Sequence, residues 1–196
     1  MKIAGLLILA VFYAVYLGKM LLQKRQGIRT DQIAKGRRRD RVFYVEWIMK
    51  IATYSVVVAE VCSIFLAKPR LPGGFALVGC ALGIMGDLVF AAAVVTMRDS
   101  WRAGLAEDDE TEMVTDGIYG YSRNPAFVGF DFVYIGLLFM FFNWVLAMFS
   151  LFAMLMLHIQ VLQEETYLER VFGEKYLAYK RRTRRYLGRK KGDVLA

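Results

Sequence analysis

The sequence predicts an all-α, polytopic integral membrane protein with about five transmembrane helices and a helical cap at its C-terminal end. Three observations carry that expectation. Of the 196 residues, 57% are hydrophobic, above the share of roughly 45–50% usual for soluble domains. Apolar stretches close to the roughly 20 residues a helix needs to cross a hydrocarbon core of about 30 Å recur along the chain. The 26 Lys and Arg outnumber the 18 Asp and Glu, and the excess gathers in two blocks beside those stretches.

The first apolar stretch runs over residues 3–22. It lacks a strongly basic start and a small-residue cleavage site, so a retained helix is expected rather than a signal peptide. The first basic block follows: Lys24, Arg25, Arg29, Lys35, Arg37, Arg38, Arg39 and Arg41. Residues 42–66 and 74–97 give the second and third helices, divided by a short turn with Pro69, Pro72, Gly73 and Gly74. The stretch 127–158 is too long for one span and carries Asn143-Trp144 near its middle, which predicts a tight helical hairpin and so helices four and five.

Between the third and fourth helices, Glu107, Asp108, Asp109 and Glu110 mark a solvated loop. Beyond the fifth, residues 163–172 continue as helix until Gly173, and residues 174–186 predict a short helix with an apolar side and a strongly basic one. The second basic block spans Arg170, Lys180, Arg181, Arg182, Arg184, Arg185, Arg189, Lys190 and Lys191. The chain accordingly divides into residues 1–98, three helices and a basic loop, and residues 99–196, which carry the chemistry.

Both basic blocks and the polar segment 98–125 fall on one side of the membrane. The excess of Lys and Arg assigns that side, with the active site and the C-terminus, to the cytoplasm; Lys2, Lys68 and Arg70 dilute the contrast. Cationic blocks beside spans also favour anionic lipid headgroups as partners over nucleic acid, which is not expected. Cys62 and Cys80 lie in apolar runs without metal-ligand spacing, so neither a disulfide framework nor a metal is expected.

Polar residues in or at the ends of spans are costly in hydrocarbon and mark sites or inter-helix pairs; here they are Glu46, Lys50, Glu60, Asp87 and Asp131. Asp131 lies two residues after Gly129 and is expected to shape a pocket. The richest pattern runs from Gly117 to Gly129 through Tyr119, Tyr121, Ser122, Arg123, Asn124 and Pro125. Pro125 suits a first helical turn, whose unpaired N–H groups can meet ligand oxygens. Arg123 suits a carboxylate, and Gly129 permits close helix approach or room for a ligand. On composition alone, the same residues also describe a helix start with belt tyrosines. A second pattern places Gln160 and Glu164 on one helical face with Glu165 beside them; paired acids at a membrane exit can hold a cation or simply be solvated. His158 is given no role.

The ordered set Gly117-Ile118-Tyr119, Arg123-Asn124-Pro125-x-Phe127-x-Gly129, a hydrophobic hairpin, Glu164-Glu165 and Phe172-Gly173-x-x-Tyr176 resembles the isoprenylcysteine carboxyl methyltransferase family over residues 99–186. The resemblance implies a membrane enzyme that binds S-adenosylmethionine at the ends of its last two helices beneath the C-terminal segment. It puts Glu112, Met113, Val114 and Tyr119 along the cofactor, with Asn124, Pro125, Ala126 and Phe127 at the family's His-Pro-x-Tyr positions. It gives Glu164 a contact to the cofactor's cationic groups. Asn124 and Phe127 depart from the family's His and Tyr. Gln160 stands where the family holds the acceptor carboxylate with an arginine, and is expected with Gly129 on the substrate side.

Arg123, Glu165 and Asp131 are the expected catalytic residues, the two acids as proton acceptors should the methyl acceptor be an amine. The acceptor implied is lipid-like or lipidated, the carboxylate of an isoprenylated cysteine foremost. Phospholipid amines, small thiols, a sterol-reductase-like oxidoreduction and non-enzymatic lipid binding are the alternatives.

Overall fold

Helices account for most of the chain in the computed structural model, which describes residues 1–28, 30–31, 33, 41–68, 70–102 and 112–190. Arg29, Lys35, Arg37, Arg38, Arg39, Pro69, the acidic run 107–110 and Lys191 lie outside the described residues. Helices α1 (Lys2–Arg25), α2 (Arg41–Leu66) and α3 (Gly73–Met97) are followed by α4 (Pro125–Met140), α5 (Trp144–Phe172) and α6 (Glu174–Arg182), with 3₁₀ turns at Arg98–Ser100 and Gly117–Gly120.

Four of these helices, α1, α2, α3 and α5, are long and apolar enough to cross a membrane, and the protein is an integral membrane protein. The fourth expected span is shorter. With 16 residues α4 rises about 24 Å, less than a hydrocarbon core of about 30 Å.

Local chemistry sets the boundaries. Pro125 occupies the first turn of α4, where its missing N–H is not needed. Asn143 ends the hairpin and starts α5, its side chain accepting from Leu146 N at 2.9 Å. Gly173, at φ 52°, supplies the left-handed residue between α5 and α6. The expected helical extension, break and short basic helix all appear, α5 running unbroken from the hairpin through Phe172.

In lipid, helices gain no hydrophobic advantage by pairing, so close backbone approach does much of the work. Gly79, Gly83 and Gly86 line one face of α3, while Gly129 and Gly136 line the facing side of α4. A Cβ on Gly136 would stand 2.6 Å from Gly79 O, and one on Gly129 2.8 Å from Phe90 Cβ and 3.0 Å from Gly86 O. Gly129 therefore belongs to the α3–α4 contact and does not face a ligand space, which corrects its expected place on the substrate side.

Phe12 of α1, Phe90 of α3 and Phe130 of α4 continue that contact, with ring centroids 4.4 to 5.3 Å apart. Helix α2 packs along α5 through Met49, Ala52, Val56, Ala153, Met156 and Leu157. The C-terminal ends of α1 and α3 meet where Lys19 lies 3.7 Å from Asp99 and Gln23 Nε2 donates to Trp101 O at 3.1 Å. Those ends, the start of α4, the end of α5 and all of α6 form one end of the bundle.

Candidate active site

At that end the segment from Tyr119 to Asn124 is roofed by the chain after α6. Arg123 N donates to Arg184 O at 3.0 Å, Gly188 N to Tyr121 O at 2.7 Å, and Tyr179 Oη to Tyr119 O at 2.7 Å. Arg189 lies over the Tyr121 ring at 4.8 Å and donates to Gly120 O. Part of the basic tail is thus spent inside the molecule. Lys180 pairs with Glu169 and fastens α6 to α5. His158, given no role above, pairs through Nδ1 with Tyr186 Oη and holds the far side of the roof.

Beneath the roof lies a buried charge network. Glu165 Oε1 accepts from Arg123 Nε at 3.2 Å, Arg123 Nη2 at 2.7 Å and Asn124 Nδ2 at 3.1 Å. Its Oε2 accepts from Arg185 Nε at 3.1 Å and Nη2 at 2.9 Å. Arg123 Nη1 donates to Thr183 O at 2.6 Å, and Asn124 Nδ2 also reaches Arg185 O at 3.2 Å. The Glu165 carboxylate raises the pKa of Arg185 further above its ordinary value, through hydrogen bonds first.

This corrects the expectation of Glu165 as a proton acceptor. Both its oxygens are taken by two guanidinium groups that favour the ionised form. The carboxylate that Arg123 was expected to bind is Glu165 itself. Asp131, the other expected proton acceptor, has a buried Oδ1 without a hydrogen-bond partner among the described residues, and it does not line the cavity described next.

A cavity of about 260 Å³ opens beside the network. Tyr119, Arg123, Asn124, Ala126, Phe127, Gln160 and Glu164 line its site end, so most of the expected cofactor positions converge there. Pro125 is buried just behind them. Glu112 is exposed, its N–H donating to Ser100 Oγ at 3.3 Å, while Met113 and Val114 are half-buried; none of the three lines the cavity.

Gln160 Nε2 donates to Glu164 Oε1 at 3.1 Å and to Glu46 Oε1 at 3.3 Å, so one amide bridges two carboxylates. Gln160 Oε1 is buried and has no hydrogen-bond partner among the described residues. Burial raises the pKa of the Tyr119 hydroxyl, with Tyr179 and Glu164 adding to it, so Tyr119 stays a neutral group.

The opposite end of the same cavity is aromatic and apolar, walled by Tyr13, Tyr16, Leu17 and Met20 of α1, Tyr54 of α2, and Phe90 and Trp101. Lys50 lies on this wall with Nζ 3.4 Å from Asp31 Oδ2. The sequence marked Glu46 and Lys50 as polar residues in a span but assigned them no role. Their signal was cost in hydrocarbon, which names no partner 114 positions away.

Fold and site together define an α-helical membrane protein with an amphipathic cavity under a basic C-terminal roof. Residues 77–170 match the model of the isoprenylcysteine carboxyl methyltransferase family, the family whose resemblance was noted in the sequence. Over 107 residues the chain is 32% identical to Protein-S-isoprenylcysteine O-methyltransferase of Schizosaccharomyces pombe, a match that covers 52% of this chain and 45% of that relative. The chain thus spans less than half the length of the curated relative it matches.

Proposed function

We propose that this protein is a membrane methyltransferase that moves a methyl group from S-adenosylmethionine to a lipid-like acceptor, the carboxylate of an isoprenylated cysteine foremost. One observation carries the reading: a single cavity joins a carboxylate-rich polar end, around Glu164 and Gln160, to an aromatic and apolar end between α1 and α2. A cationic donor and a hydrocarbon-bearing acceptor need those two environments side by side.

The residues present suit the donor. Glu164, with Glu46 behind Gln160, presents negative charge to an ammonium or sulfonium, and Gln160 Oε1, without a partner among the described residues, can accept an N–H. Phe127 and Ala126 offer apolar contact. S-adenosylmethionine supplies an electrophilic methyl whose sulfur leaves as a neutral thioether.

A carboxylate acceptor has no proton to lose, so the chain needs no general base, in keeping with the locked state of Glu165. Its task is positioning and exclusion of water. With Gln160 where the family's arginine would stand, Lys50 is a cation on the wall for the acceptor's carboxylate, with Arg102 also on the lining, and Arg123 serves the architecture. The cytoplasmic placement of the site follows from the Lys and Arg excess at this end of the bundle.

Calorimetric titration of S-adenosylmethionine into the detergent-purified chain tests the reading, with methyl transfer to farnesyl-cysteine, phosphatidylethanolamine and a small alkyl thiol measured beside it. Saturable binding that Glu164→Ala weakens tenfold or more, with transfer to farnesyl-cysteine, is the expected result. Folded protein that binds no S-adenosylmethionine overturns it. Binding with transfer only to the amine or the thiol moves the acceptor and keeps the enzyme class.

A further inference from the structure

At the end of the bundle away from the active site, a second cavity of about 480 Å³ lies between the C-terminal end of α2 and the α4–α5 hairpin. Lys68 and Arg70 stand on its wall, both exposed, and neither has a carboxylate partner among the described residues. No acidic residue lines it among the described residues. Its inner side is polar: Asn143 Nδ2 donates to Ser63 Oγ at 2.9 Å, and the buried Ser63 hydroxyl keeps its own proton for a further acceptor. The N-terminus of α5 opens beside Asn143 and adds its partial positive charge. Lys2 is fixed at the same end, its Nζ donating to Phe65 O at 2.9 Å.

Around this polar group the surface is hydrocarbon. Leu66 and Trp144 are 79% and 73% exposed, and Phe65 and Val145 are also open. Cations above an apolar rim, at the end of the bundle remote from both basic blocks, need a reason in a membrane protein, since this end is otherwise poor in Lys and Arg.

We propose that this cavity binds the phosphate group of an anionic glycerophospholipid. Lys68 and Arg70 meet the phosphate charge, the Ser63 hydroxyl donates to one of its oxygens, and the acyl chains lie along Leu66 and Trp144. Free phosphate shares the anion chemistry but makes no use of the apolar rim, which is the reason for assigning the lipid.

Native mass spectrometry of the full chain released from micelles tests this, with dioleoyl-phosphatidylglycerol, dioleoyl-phosphatidylcholine and inorganic phosphate as separate probes. The expected result is one tightly retained phosphatidylglycerol, favoured over phosphatidylcholine, whose apparent affinity falls about 10- to 30-fold in Lys68→Gln/Arg70→Gln, the effect of removing two cations at a membrane surface. Each single substitution gives part of that loss, so the result does not depend on recovery of the double variant. Lys175→Gln/Arg181→Gln, on the exposed face of α6, leaves the tight adduct in place.

Equal retention of phosphatidylglycerol by wild type and the Lys68 and Arg70 variants overturns the proposal, as does loss of the adduct in the α6 variant. Inorganic phosphate bound as tightly as the lipid overturns the lipid assignment. None of these outcomes depends on S-adenosylmethionine binding or methyl transfer.

Discussion

The carboxylate of Glu165 on α5 accepts from both Nε and Nη2 of Arg123, at 3.2 and 2.7 Å, joining residues 42 positions apart in a pair whose side chains are each 4% exposed. Arg185 from the roof completes the arrangement on the other oxygen. Removing one member of a buried pair strands the other charge, which costs roughly 3–5 kcal/mol. Glu165→Ala is therefore expected to lower thermal stability in detergent sharply, whereas Glu165→Gln, which keeps an acceptor oxygen, is expected to lose less. Equal melting of Glu165→Ala and wild type would show that the pair does not hold the roof.

Helix α3 meets α4 backbone to backbone, so the position of a glycine decides the cost of replacing it. Gly136→Ala places a Cβ 2.6 Å from Gly79 O and must part the helices, while Gly83→Ala meets Ile8 Cδ1 at 2.6 Å, the movable end of a flexible side chain. A destabilisation of about 1–3 kcal/mol is expected for Gly136→Ala and a smaller one for Gly83→Ala. Thermal unfolding of the two variants side by side checks the order.

Tyr179 is buried and donates to Tyr119 O. Tyr179→Phe keeps the ring and leaves that buried carbonyl without its donor, at a cost of about 1–3 kcal/mol. Because Tyr119 lines the cavity, weaker S-adenosylmethionine binding is expected beside the lower stability, and the calorimetric titration reads it directly.

Lys50 lies on the cavity wall one helical turn from Glu46, and its pair with Asp31 is partly exposed, so its removal costs the fold little. Lys50→Gln is expected to raise KM for farnesyl-cysteine about tenfold or more while S-adenosylmethionine binding stays within about twofold. An unchanged KM would remove Lys50 as the partner of the acceptor carboxylate.

Helix bounds were legible because their signals are local. Asn143 caps α5 through its own side chain, Gly173 turns the chain in a conformation glycine tolerates, and Pro125 starts a helix where it lacks nothing. The site was legible in part. Tyr119, Asn124, Ala126, Phe127, Gln160 and Glu164, the positions the resemblance singled out, line one cavity, while Glu112, Met113, Val114 and Asp131 are not on its wall. Glu46 and His158 act through partners on other elements, and nothing in their immediate sequence names those partners.

By itself the sequence determined that the chain is a helical membrane protein, where its helices begin and end, and which family residues 77–170 match. Those properties depend on lengths of apolar residues and on capping chemistry read along the chain. Only the tertiary structure decided that the carboxylate for Arg123 is Glu165, that Gly129 packs against α3, and that the basic tail folds over the site. Lipid is as apolar as the side chains it meets, so hydrophobic pattern does not say which helix faces which. That choice falls to glycine contacts and buried charge pairs, which appear once distant residues are brought together.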